Sequence, residues 1–110
     1  MLEGDSEICK MIKNISKMHR SNAKVRKYLV NNDYKNLYFF PHSRYSKGLL
    51  IDKVEFDGLA TKNFHLTFFQ VKSNNKPSKK MIKKYKEMGD KFGIECVWFN
   101  VKDREGIEIF

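Results

Sequence analysis

The feature that most constrains the fold is a short apolar run that ends in polar residues. Residues 64–69 read Phe-His-Leu-Thr-Phe-Phe and lead directly into Gln70, Val71 and Lys72. Aromatic and apolar residues at this density favour a β-strand. Alternation along a strand places Gln70 and Lys72 on one face, which they share with Phe68. Burying the charged group of a lysine at the end of such a strand costs free energy unless the group is paired or has a function. We therefore expect a functional site here.

A second polar residue precedes this strand and is expected to pair with it. The tripeptide at residues 61–63 predicts the tip of a hairpin, with residues 64–72 as the returning strand. Pairing about this tip places Asp57 opposite Phe68 or nearby, with Gln70 a diagonal neighbour at about 7–8 Å. Asp57, Gln70 and Lys72 are therefore expected to converge on one place.

The rest of the chain reads as helices and further strands around this hairpin. Helical spacing predicts a first helix capped by Ser6, with Glu7 in its first turn, and a second helix over about residues 21–31. A third helix is expected from Ser78 to residue 91, ended by Gly93. Its predicted inward stripe is Met81, Tyr85, Met88 and Phe92. Strands are predicted over residues 37–40, 49–51, 54–59, 95–101 and 107–110.

Length and charge limit the class of protein. A chain of 110 residues predicts one domain over residues 1–110. The 22 Lys and Arg against 13 Asp and Glu give a net charge of +9, which favours a polyanion such as nucleic acid, or serves as solubilising charge. Cys9 and Cys96 are too few for a disulfide framework or a zinc site. No signal-peptide or membrane-spanning pattern appears, so we expect a soluble cytoplasmic protein.

The order of elements and the Asp57…Gln70-Val71-Lys72 signature resemble the PD-(D/E)xK nuclease superfamily, especially the small archaeal Holliday-junction resolvases. Most of the chain takes part: Glu7 matches the acid of the first helix, and Arg44 falls where an arginine often follows the first strand. The resemblance implies an α/β fold of the restriction-endonuclease-like kind, a central mixed β-sheet flanked by α-helices.

The sequence departs from the pattern of that superfamily in two places. Gln70 stands where the second acid is usual, and the segment between Glu7 and Asp57 is longer than in the smallest resolvases. An amide oxygen is a poorer ligand for a hard divalent cation than a carboxylate is. We therefore expect weaker metal binding than a full acidic set would give.

The resemblance implies a Mg²⁺-dependent deoxyribonuclease, with Mn²⁺ as a substitute. Asp57, Gln70 and the Val71 carbonyl would hold the ion, Glu7 would support a second ion or an ordered water, and Lys72 would orient the attacking water. The expected products carry 5′-phosphate and 3′-hydroxyl ends. Contacts to the DNA backbone are expected from Arg44, Lys47, Ser73, Lys76, Lys79 and Lys80.

Several alternatives stay open at the level of sequence. Asp57 before Gly58 is also a common turn pair, and Lys72 with Gln70 is also compatible with a solvated strand end. Asp52 or Glu55 replaces a ligand if the register is shifted. The whole chain is compatible with a non-catalytic DNA-binding relative, or with a nuclease subunit of a restriction or transposition assembly whose partner chooses the target. Trp98 or Phe99 is expected outside the core, which would suit a homodimer.

Overall fold

The computed structural model describes residues 18–41, 48–51, 53–103 and 105–110. These residues form two helices and seven strands. Helix α1 covers residues 18–31 of the described chain. The other elements follow in the order β1 (Lys35–Phe39), β2 (Leu49–Ile51), β3 (Val54–Phe56), β4 (Gly58–Lys62), β5 (His65–Ser73), α2 (Lys79–Phe92), β6 (Glu95–Lys102) and β7 (Gly106–Ile109).

The strands form one mixed sheet and one separate hairpin. The five-stranded sheet has the order β1-β4-β5-β6-β7, in which β5 and β6 are parallel and the other neighbours are antiparallel. The parallel pair is joined by α2, as a parallel connection requires. Strands β2 and β3 pair only with each other as an antiparallel hairpin within the described residues.

Each face of the sheet carries its own hydrophobic core. On one face, Val25 and Leu29 of α1 pack against Phe69 and Phe99, and this set is the first core. On the other face, the second core is made by α2, the β2–β3 hairpin and the alternate residues of the sheet. Its buried members are Val54, Phe56, Tyr85, Met88 and Trp98. The predicted α/β architecture, a mixed sheet flanked by helices, is therefore confirmed at this level.

Helix α2 agrees with its sequence signals except at its last residue. Ser78 Oγ accepts a hydrogen bond from the Met81 backbone N–H at 3.1 Å, and Gly93 ends the helix with a left-handed φ of 66°. Tyr85 and Met88 are buried as predicted, whereas Phe92 is 45% exposed. The prediction for Phe92 is wrong because β6 begins only three residues later, at Glu95, and leaves the end of the helix uncovered.

The hairpin between β4 and β5 turns one residue later than predicted. Lys62 pairs with His65, so the turn consists of Asn63 and Phe64, with φ values of 51° and 66°. Two left-handed residues suit the twist of a two-residue hairpin, but glycine is the usual signal for them and neither position has it. Gly58 consequently pairs with Phe69, and Asp57 stands level with Gln70 rather than with Phe68.

Two other expectations fail for reasons of packing. The run over residues 54–59 is divided at Asp57 into β3 and β4, which belong to different sheets. Trp98 and Phe99 are both buried, one in each core, because helices cover both faces of β6. Neither aromatic ring is therefore available for the expected dimer contact. In the described part of the chain, no helix has the length and apolar character needed to cross a membrane.

Candidate functional site

Asp57 lies in a bend between β3 and β4, where it is held by three hydrogen bonds. Its backbone N–H donates to the Phe69 carbonyl, and its own carbonyl accepts from the Phe40 N–H, both at 2.8 Å. Its side-chain Oδ2 accepts from the Val71 N–H at 2.7 Å. The carboxylate thus takes the place of the next backbone carbonyl in the β4–β5 ladder, and the residue is only 7% exposed.

Gly58 is needed for close packing rather than for a turn. It opens strand β4, and it is not among the residues with positive φ. A Cβ atom here would lie 2.5 Å from the Phe69 ring and 2.6 Å from the Tyr38 carbonyl oxygen. The Asp57-Gly58 pair is therefore part of the sheet, and the close approach of β1 and β5 explains the glycine.

Gln70 connects the β2–β3 hairpin to Lys72. The residue is 4% exposed, and the orientation of its amide is assigned from the groups that it faces, because this orientation satisfies both ends. Nε2 donates to the Glu55 carbonyl oxygen at 2.8 Å, and Oε1 accepts from Lys72 Nζ at 3.2 Å. The ammonium group of Lys72 is thereby directed along the strand face toward Gln70, as the alternation of the sequence predicts.

Val71 contributes a backbone carbonyl on the side of Asp57. In an extended strand, the N–H and C=O of one residue point to the same side. Because the Val71 N–H reaches Asp57 Oδ2, the Val71 carbonyl also faces the side of β5 on which β4 ends. Asp57, Gln70, Val71 and Lys72 are therefore brought together, as the sequence predicts.

Asn100 is a buried polar residue of this region that was not predicted. It pairs with Lys72 in the parallel register and is almost fully buried. Its Oδ1 accepts from the Asn75 N–H at 2.8 Å, and its Nδ2 donates to Glu108 at 3.3 Å. Asn100 therefore fixes the loop that follows the Lys72 strand. An asparagine within the apolar run Val97–Val101 was the available signal.

The predicted DNA-contacting residues within the described chain do not share one surface. Ser73 Oγ is hydrogen-bonded to Ser21 Oγ of α1 at 2.5 Å, and Lys76 Nζ lies 3.8 Å from a Glu108 carboxylate oxygen. Lys79 and Lys80 are exposed in the first turn of α2. Glu7, Arg44, Lys47 and Asp52 lie outside the described residues.

Tyr85 places a buried hydroxyl group under the site. The residue is 6% exposed, and its Oη has no hydrogen-bond partner among the described residues. Burial raises the pKa of Tyr85 far above its usual range, and its neighbours Cys96, Asp57 and Glu55 add to the rise. The carboxylates of Asp57 and Glu55 therefore lie near enough to this hydroxyl to disfavour its ionisation. Burial likewise raises the pKa of the Cys96 thiol to about 11, so it is protonated at neutral pH.

The donors in this region suit a hard cation in type but include few carboxylates. A carboxylate of Asp57, the amide oxygen of Gln70 and the carbonyl of Val71 are all oxygen ligands, which Mg²⁺ prefers. Across the described residues, no group of three or more His, Cys, Asp or Glu side chains is arranged to hold a metal ion. Any ion bound here would therefore rely on neutral oxygens and water for most of its ligands.

Comparisons of this chain with protein-family models, with curated proteins and with solved structures find no match.

Proposed function

We propose that this chain is a metal-dependent endonuclease that hydrolyses phosphodiester bonds of DNA. One observation supports the proposal above the others. The β4–β5 register and the Asp57–Val71 hydrogen bond bring the Asp57 carboxylate next to the Gln70-Val71-Lys72 segment. This is the combination of acid, neutral oxygens and lysine that the resemblance to the PD-(D/E)xK superfamily implies.

The ion would be held by Asp57, the Gln70 amide oxygen and the Val71 carbonyl. When bound, Mg²⁺ supplies charge stabilisation at the phosphate and lowers the pKa of a coordinated water. Glu7, outside the described residues, completes the proposed set. Mn²⁺ is expected to substitute because it takes the same oxygen ligands.

Lys72 provides the positive charge of the proposed site. Its ammonium is held 3.2 Å from Gln70 Oε1, so it is already positioned before any substrate arrives. A fixed cation stabilises negative charge that grows on the phosphate in the transition state, and a preorganised one needs no rearrangement to do so. Lys72 can also donate a hydrogen bond that orients the attacking water.

Gln70 favours a second candidate function, DNA binding without cleavage. Both ends of its amide are already satisfied within the chain, by the Glu55 carbonyl and by Lys72. A glutamate could not donate to the Glu55 carbonyl, so the glutamine suits its surroundings without any ion. In this candidate, the chain is a binding module or a subunit whose partner supplies target choice.

Cleavage assays on labelled DNA separate the two candidates. A four-way junction, a flap and a linear duplex would be incubated with Mg²⁺ or Mn²⁺ and the wild type, Asp57→Asn or Lys72→Ala. Asp57→Asn keeps an oxygen acceptor for the Val71 N–H but removes the charge, so it tests chemistry more than folding. Lys24→Gln, at an exposed position of α1, is the control for the loss of one positive charge.

We expect cutting by the wild type and the control, and none by the two site variants. Binding of all three substrates without cutting under either metal would reject the nuclease and support the binding module. The preferred substrate would decide whether the activity is that of a junction-resolving enzyme, as the resemblance to resolvases implies.

A further inference from the structure

A basic groove separates the β2–β3 hairpin from α2. It encloses about 650 Å³ and has a floor made by Val54 and Met81. Both floor residues belong to the second core or pack against it, so the position of the groove is fixed by the fold. Lysine stems can lie along such an apolar floor while their ammonium groups remain in water.

Among the residues that the structure describes, four lysines and one glutamate line this groove. Lys80, Lys83 and Lys84 project from one side of α2 at helical spacing, and Lys53 faces them from the hairpin. Like charges three or four residues apart destabilise a helix, and Glu87 is the one acid of the lining within the described ranges. Among the described residues, none of the four lysines forms an ion pair. The groove therefore has an excess of positive charge that the described chain does not neutralise.

Lys53 is held toward the groove by an unusual backbone conformation. Its φ is 68°, in the left-handed region that side chains other than glycine, asparagine and aspartate seldom adopt. It forms the connection between the two strands of the hairpin. This turn places Lys53 at the edge of the groove, opposite the lysines of α2.

Strand β3 links the groove to the proposed site along the chain. Strand β3 begins at Val54 on the groove floor and is followed directly by Asp57, and Glu55 between them accepts the hydrogen bond from Gln70. Three residues separate Lys53 from Asp57, and the four residue-to-residue steps of extended chain span about 13 Å. One DNA strand rises by about 3.4 Å per phosphate along the helix axis, so a span of this size covers a few phosphates at most.

We propose that this groove binds the phosphate backbone of DNA, with Lys53 and Lys83 contacting phosphates a few nucleotides from the one presented to Asp57. The binding part of the proposal stands on the groove alone, whereas the placement relative to Asp57 rests on the proposed function. The lysines contact phosphate and read no base, so binding is independent of sequence.

The test compares two variants that lose the same charge on opposite faces of the sheet. Lys53→Gln/Lys83→Gln changes the groove, and Lys24→Gln/Lys27→Gln changes exposed lysines of α1, beyond the other face. Binding to a labelled 20-base-pair DNA duplex would be measured by fluorescence anisotropy between 50 and 300 mM NaCl, with EDTA present so that no cutting occurs. A duplex RNA of the same sequence forms the second arm.

The groove variant is expected to lose at least about tenfold in affinity at 0.1 M salt, and its log–log salt slope should fall by about two, since each phosphate contact contributes about 0.9. The α1 variant should stay within about threefold of the wild type because it loses only distant attraction. Equal losses in both variants, no binding by the wild type, or tighter binding of the RNA duplex would overturn the proposal.

The outcome for the groove is distinguishable from the outcome for the proposed nuclease. Binding in EDTA is assigned to the lysines of the groove, whereas cutting is assigned to Asp57 and the ion, so the two outcomes are measured separately. Groove-dependent binding without any cutting would reject the nuclease and keep the groove. Cutting that survives loss of both groove lysines at low enzyme concentration would keep the nuclease and reject the groove.

Discussion

Gln70 is the residue in which the proposed metal site departs from a carboxylate set, and its replacement by glutamate tests whether an ion binds there. Lys72 Nζ lies 3.2 Å from Oε1, so its ammonium group favours the ionised form of a glutamate at this position, against the opposing effect of the Glu55 carbonyl. We expect Mg²⁺ to raise the melting temperature of Gln70→Glu more than that of the wild type, because a carboxylate binds the ion better. Thermal unfolding over a Mg²⁺ titration measures this.

Gln70→Met is the matched control for that titration, since it has similar length and no oxygen. It should gain less from Mg²⁺ than the wild type does. Equal gains in all three proteins would place the ion elsewhere, or show that none binds at this end of β5.

Tyr85 gives the molecule a pH dependence with a definite sign. Its folded pKa is raised, chiefly by burial, so above pH 10 the unfolded chain releases a proton that the folded chain keeps. The contribution of this group is fully present below pH 10 and is lost as the pH rises beyond it. Tyr85→Phe should therefore lose less stability than the wild type between pH 9 and 11, measured by urea unfolding.

At neutral pH the same substitution is expected to stabilise the fold by about 1 kcal/mol, because it removes a buried hydroxyl that has no partner among the described residues. Parallel pH curves for the two proteins would contradict the burial of this hydroxyl. Unchanged DNA cleavage by Tyr85→Phe would show that the group is structural.

Among the strands and helices, the turn between β4 and β5 is the clearest case of local strain. Phe64 is fully exposed and has a φ of 66°, and it follows Asn63 in the same left-handed conformation. Phe64→Gly would create the Asn-Gly pair that this turn type prefers. We expect a gain of about 1 kcal/mol in the free energy of unfolding, measured by chemical denaturation, with Phe64→Ala as the control that keeps the strain.

The same turn explains why the register of the hairpin was not predictable. Ser78 and Gly93 mark the two ends of helix α2 in the sequence, and the apolar run of β5 identifies that segment as a strand. The turn contains no glycine, so the pattern placed the tip one residue early. The group formed by Asp57, Gln70 and Lys72 was nevertheless predictable, because the pairing of Asp57 moved by two residues, from Phe68 to Gln70, and a shift of two keeps each side chain on its face. The role of Asn100 could not be predicted, because it depends on a contact with the loop after β5 that no sequence pattern indicates.

For the molecule as a whole, the net charge of +9 predicts that low salt destabilises the fold. The Debye length shortens from about 30 Å at 0.01 M to about 10 Å at 0.1 M, so repulsion between distant lysines weakens over this range. We expect the melting temperature to rise by a few degrees between these concentrations of NaCl. A quadruple Lys→Gln variant at positions 24, 27, 53 and 83 should rise less. A fall with added salt would mean that attractive ion pairs outweigh the repulsion.

The basic groove is a property of the whole molecule, because it forms only where elements that are distant in the sequence meet. Phe56 of the hairpin and Tyr85 of α2 stack with ring centroids 5.5 Å apart, and this contact sets Lys53 opposite the lysines of the helix. In the sequence these lysines read as an ordinary solvated face. Which part of that face borders the site follows from tertiary packing, which neither periodicity nor composition specifies.

The division of the apolar run at Asp57 has a consequence for local motion. The backbone of Asp57 is bonded on both sides, to Phe69 and to Phe40, whereas β2 and β3 pair only with each other within the described chain. A two-stranded hairpin is marginally stable by itself and opens more readily than the strands of a larger sheet. Amide protons of the hairpin should therefore exchange with solvent faster than that of Asp57. Local opening of the hairpin would therefore leave the Asp57 carboxylate in its place.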